Sequence, residues 1–552
     1  MSVAPNDALR EGVTVPPCVL HEDDDLLVVH KPAGWNTHSP SPYAGEGIYE
    51  WLRHREPRWA RLAILHRLDK DTSGVLVFGK GERANRSLTA QFTDRDVSKD
   101  YQLRVGTRAW RPTASVRVEA LAGGGWRVTS WLDRAGEIQV SRNTGAAGGE
   151  AVTEFEPMSE GLWLARPLTG RTHQIRVHAA AMGAPILGDR LYGGAPSHRL
   201  WLHSGRIEFA HPADGRRVEF QVPSGFDRPE GGVVGLCGAM FGDSETNACR
   251  VLHGASSGVP GVYAERLGER LLVLSEAAVE PEAILAKLGG WRPEGIHRKQ
   301  WRRDVRLKTV EETSPVKVWG AEVPARFEIR ENGVRYEVSL AEGYSYGLFL
   351  DQRDNRRRLL RGHVAAGFPF PEGGLAGREV LNCFAYTGGF SVCAALAGAR
   401  VTTLDLSRKY LDWARRNFEL NGVDPAQHEF IYGDCFDWIR RLAKKGRQYA
   451  VVLLDPPTFS RSKESGDFRA ESDYGRLVTQ AAGVLAPGGV LFASTNAARL
   501  EPERFLAEVR AGLGKAGRRV RAEHYVPQPP DFPVSREEPA YLKTVWMRVD
   551  AD

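Results

Sequence analysis

Apolar residues change rhythm twice along this chain. Up to about residue 225, short apolar runs such as Val75-Leu76-Val77-Phe78 and the strand-like Ile207-Glu208-Phe209 stand among polar turns. In the middle, Phe327-Glu328-Ile329-Arg330 and Tyr336-Glu337-Val338-Ser339-Leu340 alternate with the period of half-buried strands, and Arg270-Leu271-Leu272-Val273-Leu274 reads as another strand. From residue 376, apolar runs at Val380-Leu381, Val401-Thr402-Thr403-Leu404, Val451-Val452-Leu453-Leu454 and Val490-Leu491-Phe492-Ala493 alternate with helix-length amphipathic segments. That alternation predicts a parallel sheet with helices on both faces.

A chain of 552 residues exceeds what one core can organise. The pattern divides it into a first α+β unit over 1–225, ending near Pro223-Ser224-Gly225, and a breaker-rich linker over 226–244. A small α+β module over 245–350 and an α/β, Rossmann-like unit over 351–552 follow. The six cysteines, at 18, 237, 249, 383, 393 and 435, form no CxxC pair, so a reducing compartment is expected and no metal site. Met1 to Pro17 has no apolar core and reads as no signal peptide, and no run of about 18 apolar residues suggests a membrane span, so a cytoplasmic location is expected. The net charge of +5 is too small to identify a partner by itself. The stretch Ile296 to Arg306 mixes cations with Trp301, which suits either phosphate contacts with base stacking or an ordinary solvated face.

The segment His66-Arg67-Leu68-Asp69-Lys70-Asp71-Thr72-Ser73-Gly74 sets the carboxylate of Asp69 between basic side chains and a glycine turn, where it can be held ionised and aimed. The segment closely resembles the signature of the RluA-type pseudouridine synthases, whose Asp is catalytic. Val97-Ser98-Lys99-Asp100-Tyr101 resembles that family's second motif, and Leu168-Thr169-Gly170-Arg171-Thr172-His173-Gln174-Ile175-Arg176 its third. Val28-Val29-His30-Lys31-Pro32-Ala33-Gly34 and Gly188-Asp189-Arg190-Leu191-Tyr192-Gly193 also fit. The resemblance implies that Asp69 acts as a nucleophile or as a base at the sugar, that Arg176 pairs with it, and that Tyr101 packs on the uracil. It gives Arg67 the space that the flipped base vacates. His66 reads as a packed, hydrogen-bonded histidine.

In the last unit the first strand runs into Asn382-Cys383-Phe384-Ala385-Tyr386-Thr387-Gly388-Gly389-Phe390, a glycine turn that lets a ligand approach the backbone. Asp405 ends the next strand, where an acidic residue can accept from ribose hydroxyls. Both features suit a dinucleotide as well, but the G-x-G-x-x-G pattern is missing. Leu454-Asp455-Pro456-Pro457-Thr458-Phe459 discriminates: its two prolines make a rigid loop with few free donors, so Asp455 can take the amino edge of a base and Phe459 its face. This segment resembles motif IV of class I S-adenosylmethionine-dependent methyltransferases, and Asp455 to Lys463 resembles the RlmK and RlmI group of 23S rRNA methyltransferases. Gly347 to Arg356, Arg250-Val251-Leu252-His253-Gly254 and Gly258-Val259-Pro260-Gly261 agree. The resemblance implies S-adenosylmethionine held by Tyr386, Thr387, Gly388, Gly389, Asp405, Asp434 and Asp455, with Pro456, Pro457 and Phe459 on the substrate. The RNA-binding module that precedes this domain in RlmI-like enzymes is not recognisable, so RNA capture is expected to be shared between the halves.

Methylating carbon 5 of cytosine needs a thiolate. RlmI-like enzymes carry theirs after a later strand, where this chain has Ser494-Thr495-Asn496. Cys435 is read as lying near the adenine end of the cofactor, and Cys383 and Cys393 as packing residues. N-methylation of guanine is therefore expected, at N7 by resemblance to RlmK. The whole reads as a bifunctional RNA-modifying enzyme acting on 23S rRNA, with tRNA the other candidate. The alternatives are an inactive RNA-binding ribosome-assembly factor, or 5-methylcytosine as the methylated product.

Overall fold

The structure, a computed structural model, describes residues 15–550 apart from 107–109, 137, 144–148, 227–231, 301–309, 344 and 463–465. Strand Ser73–Gly79 is buried along its whole length, which is why its sequence is a continuous apolar run: a strand covered on both faces needs apolar side chains on both. It lies in a 12-stranded mixed sheet between Leu26–Lys31, antiparallel, and Leu202–Ala210, parallel. The far edge of Leu202–Ala210 pairs with Ser98–Arg104, setting Ser204 opposite Tyr101 and His203 opposite Ser73. The segments around Asp69 and Tyr101 are thus brought together by a third strand that carries neither motif.

The segment 226–244, expected as a linker, contains helix Gly232–Met240. Val233, Leu236, Cys237 and Met240 are buried, and the amide of Cys18 donates to the carbonyl of Ala239 at 2.8 Å. Glycines punctuate this sequence, but its remaining apolar residues still supply a packing face. Consequently one core runs from the first unit through the helix into the middle module.

That module holds a five-stranded sheet: Ala248–His253, Val262–Leu267, Arg270–Ser275, Gly295–Gln300 and Val316–Gly320. Hairpin Phe327–Glu331 with Val334–Val338 buries alternate residues, as its alternating sequence requires. Trp301 to Arg306 of the basic stretch lies outside the described residues.

The last unit carries a seven-stranded sheet of β1 (Glu379–Cys383), β2 (Arg400–Asp405), β3 (Glu429–Tyr432), β4 (Tyr449–Leu454), β5 (Leu485–Thr495), β6 (Val520–Val526) and β7 (Lys543–Val549), in the order β3-β2-β1-β4-β5-β7-β6. The four strands that carry the expected runs, β1, β2, β4 and β5, are parallel as the alternation predicts, and β7 adds an antiparallel return, pairing with both β5 and β6. No helix joins β6 to β7, and without a crossover the chain must return antiparallel. The order reverses at β1, which opens a crevice at its carboxyl end.

Helix Arg353–Arg361 joins the two halves. Arg357 donates to the carbonyl of Arg55 at 2.6 Å and pairs with Glu56, and Arg358 donates to Glu46 at 3.2 Å.

Candidate active sites

The turn that carries Asp69 is pinned from below. Lys31 is fully buried and donates to the carbonyls of Pro32, Trp35 and Lys70 at 3.0, 2.7 and 3.0 Å. Burial pulls the Lys31 ammonium down to about 7, against Asp71 and Asp69, which favour its charge. The Thr37 hydroxyl donates to the carbonyl of Leu68 at 2.8 Å and accepts from the Leu68 amide at 3.1 Å. With its backbone fixed, Asp69 projects its partly exposed carboxylate into a cleft of about 2590 Å³ that Arg67, Tyr101 and Arg176 also line.

Arg176 lies on helix Gln174–Ala181. Its Nε and Nη2 donate to Asp189 at 2.8 Å each, and Nη1 donates to Asp69 at 3.3 Å. Two carboxylates thus outweigh burial and hold the guanidinium firmly charged. His173, just before the helix, takes the left-handed backbone at φ 55°. Its Nδ1 meets the Tyr192 hydroxyl at 2.9 Å and its Nε2 stands 3.8 Å from Asp69. Burial raises the Tyr101 phenol to about 12, with the Asp69 charge adding to it and a hydrogen bond from Ser204 opposing it. The phenol is therefore neutral at physiological pH. His66 accepts from the amide of Val77 at 3.1 Å and stacks on Phe92 at 5.0 Å. Burial, with Lys99, brings it down to about 3, so it is a neutral packed histidine. Sequence reasoning assigned no role to Lys31, His173, Asp189 or Tyr192, although all four fall inside the quoted motifs.

At the second site the turn after β1 takes positive φ at Phe384 (57°), Tyr386 (51°) and Gly388 (75°). A Cβ on Gly388 would meet the Cβ of Ala414 at 2.7 Å, so the position needs glycine for both conformation and space. Asp405, at the end of β2, accepts from the amides of Tyr386 and Ser407 at 2.8 Å each. Burial raises its carboxyl despite these donors. Thr387 is fully buried and its hydroxyl donates to the carbonyl of Gly347. Its side chain thus ties the glycine turn to the segment at Gly347. Asp434 caps helix Cys435–Lys444, accepting from the amide of Asp437 at 3.0 Å.

Asp455 stands directly after β4, across the crevice. Gln352 Nε2 stands 3.4 and 3.3 Å from its two oxygens and donates to Ser494 at 2.7 Å, while Asn355 donates to Gln352 Oε1 at 2.9 Å. Burial raises the Asp455 carboxyl to about 6, with Asp351 adding to it and Ser494, Arg356 and Gln352 holding it back. Tyr474 donates to the carbonyl of Ser494 at 2.7 Å, accepts from its amide at 2.8 Å and stands 3.3 Å from the carbonyl of Leu454, so one phenol spans the ends of β4 and β5. Pro456 is buried, Pro457 exposed, and Phe459 half-buried under the Arg469 guanidinium at 5.2 Å. Gln352 and Tyr474 were not foreseen. Gln352 lies in a quoted motif, whereas nothing local marks Tyr474. Asp455 does not line the Asp69 cleft.

The residues around β1 fit a nucleoside-bearing cofactor. The turn after β1 takes positive φ at three residues at the sheet's carboxyl edge, with carboxylates at Asp405, which ends β2, and Asp455, directly after β4. The nearby thiols are unsuited to nucleophilic work. Cys383 is fully buried, and burial, together with Cys383 beside it, drives Cys435 well above the usual thiol range. Elsewhere, among the described residues, Glu46, His54 and His524 bring ligand-type atoms within 4.8 Å of one another. Arg358 already supplies a positive charge to Glu46 there.

A family model described as S-adenosylmethionine-dependent methyltransferase matches residues 299–548, and one described as RNA pseudouridylate synthase matches residues 25–181. The ribosomal RNA large subunit methyltransferase of Deinococcus radiodurans is 33% identical over 324 residues, which cover 57% of this chain and 76% of that protein. The ribosomal RNA large subunit methyltransferase K of Neisseria meningitidis serogroup B is 37% identical over 217 residues, 39% of this chain and 56% of that protein. A methyltransferase structure complexed with SAH is 30% identical with a TM-score of 0.47, covering 55% of this chain and 76% of that one.

Proposed function

Because this chain belongs to the S-adenosylmethionine-dependent large-subunit ribosomal RNA methyltransferases and carries an RNA pseudouridylate synthase domain in the same polypeptide, we propose that it converts one uridine to pseudouridine and methylates one guanine at N7, both in 23S rRNA. The observation that carries the reading is the meeting of Asp69, Tyr101 and Arg176, from three separate segments, in one cleft.

Pseudouridine formation breaks the C1′–N1 bond, turns the uracil and joins C1′ to C5, which then loses its proton while N1 gains one. The uridine must first leave its stack, at a cost of roughly a few kcal/mol. Arg67, exposed at the cleft, takes the space left behind. Arg176 fixes the Asp69 carboxylate against the sugar or the ring, and the neutral Tyr101 phenol packs on the uracil.

S-adenosylmethionine supplies the methyl group at the second site. Asp455 accepts from the N1–H and amino group of guanine, Pro456 and Pro457 keep its loop rigid, and Phe459 covers the base. N7 carries an in-plane lone pair, so it needs neither a thiolate adduct nor removal of a proton, only positioning. That matches a crevice whose neighbouring cysteines, Cys383 and Cys435, are buried.

The test is methyl transfer by the full chain to unmodified 23S rRNA, followed by nucleoside digestion and mass spectrometry. The reading expects 7-methylguanosine; 5-methylcytidine or 2-methylguanosine as the product would overturn it.

A further inference from the structure

The cleft around Asp69 has two walls, and only one of them belongs to the synthase half. The facing wall comes from the middle module and the tail beyond β6, through residues that include Val251, Leu252, Ser256, Lys287 and Ser535. This second wall is built and fastened. The short helical turn Gly254–Ser257 is held to the tail by Glu538, which accepts from the amide of Ala255 and the hydroxyl of Tyr263 at 3.0 Å each. The core is continuous beneath both walls, through helix Gly232–Met240.

The dimensions and charge of the cleft point to a polymer. Its volume of about 2590 Å³ exceeds the roughly 300–1,000 Å³ of a small-molecule pocket. Eleven Lys and Arg side chains line it against four Asp and Glu, which suits a polyanion threaded through it. Lys287 is exposed on the facing wall, and its charge reaches His198 on the synthase wall, where burial, Arg199 and Lys287 together disfavour the imidazolium. Cations of the two halves therefore act on one shared space.

We propose that the RNA strand presented for pseudouridine formation lies across both walls, so that the methyltransferase's middle module holds the backbone flanking the flipped uridine. The inference rests on the synthase reading of Asp69. A flipped nucleotide draws its neighbours' phosphates to the rim of the pocket, and the middle-module wall offers the exposed Lys287 ammonium; the Ser256 hydroxyl beside it is turned to Glu538 at 3.4 Å. Such contacts position a strand without reading its sequence. The occupant is single-stranded RNA, and the half that methylates is also part of the synthase's substrate site.

The test uses the full chain with K287A and K287E, at an exposed position outside both sets of catalytic residues. Pseudouridine formation on unmodified 23S rRNA is measured as a function of salt, with methyl transfer and thermal melting on the same preparations. K287E is expected to lower kcat/KM for pseudouridine about 10-fold, with kcat at saturating RNA and methyl transfer unchanged. K287A is expected to reduce the slope of log kcat/KM against log salt by about 0.7, the loss of one phosphate contact on a single strand. Wild-type kcat/KM and salt slope in both variants would overturn the proposal while leaving the synthase reading intact. Equal loss of both activities would also contradict it, since the wall would then serve the whole protein and not the Asp69 substrate. A wild-type chain that forms no pseudouridine would remove the synthase reading itself.

Discussion

Arg176 is fastened to Asp189 by two 2.8 Å hydrogen bonds, and only its remaining nitrogen, at 3.3 Å, reaches Asp69. The Asp189 side chain is fully buried, so it is the anchor and Arg176 the arm. Asp189→Asn keeps the volume but removes the charge that fixes the fork. The expected result is a fall of about 10²-fold in pseudouridine formation through misplacement of Arg176. Breaking the buried pair is also expected to destabilise the synthase half by about 3–5 kcal/mol. Denaturant unfolding beside a synthase assay checks both; an unchanged assay would show that Arg176 does not need its anchor.

Asp69→Ala removes the carboxylate without disturbing the turn, because the contacts of Lys31 and Thr37 there are to main-chain groups. Pseudouridine formation is expected to vanish while methyl transfer persists. Single-turnover assays of both activities on one preparation check this, and retained synthase activity would refute the assignment of Asp69.

Tyr101→Phe keeps the ring and loses a phenol that burial holds neutral to about pH 12. Stability should barely change. Pseudouridine formation should fall by about 10²–10⁴-fold if the hydroxyl moves a proton, and a fall below threefold would leave the residue a packing role only.

The Asp455 carboxyl titrates near 6 because burial disfavours its charged form. If it accepts from guanine it must be ionised, so methyl transfer is expected to rise with pH through about 6 along a one-proton curve. A raised carboxylate opposes stability above its ordinary pKa, so Asp455→Asn should melt at a higher temperature at pH 7.5 while losing methyl transfer. A flat pH profile between 5 and 7 would contradict this role.

The junction between the halves should loosen in acid. His524 and His363 are held at about 3 and about 4, by burial first and then by neighbouring cations. Burial pushes the Glu46 carboxyl up, but Arg358 and His54 outweigh it and bring it to about 2. The histidines are lowered on docking, so their contribution is complete above about 6.5 and falls away towards 4; Glu46 adds its loss only below about 4.5. Melting curves should therefore show a first transition moving down between pH 7 and 5. His524→Phe should flatten that dependence, and an unmoved transition in the wild-type chain would contradict it.

The two chemistries were legible in sequence because their motifs are short and local: Asp69 within 66–74, Tyr101 within 97–101, Asp455 within 455–459. Their convergence was not, since Tyr101 reaches the cleft through a register set by Ser204, which no motif marks. Helix Gly232–Met240 lies in the segment read as a linker, where glycines and the neighbouring Pro229 interrupt the apolar residues that pack into the core shared by the first unit and the middle module. The bond from the Thr387 hydroxyl to Gly347, 40 positions away, has no local mark in the sequence. The antiparallel return of β7 depends on which edge of β5 is free, and periodicity carries no information about that.

The most direct test of the central claim is mass-spectrometric nucleoside mapping of rRNA and tRNA from cells with and without this gene. The account predicts the loss of one pseudouridine and one 7-methylguanosine, both in 23S rRNA. Unchanged rRNA and tRNA modification in the cells lacking the gene would contradict it.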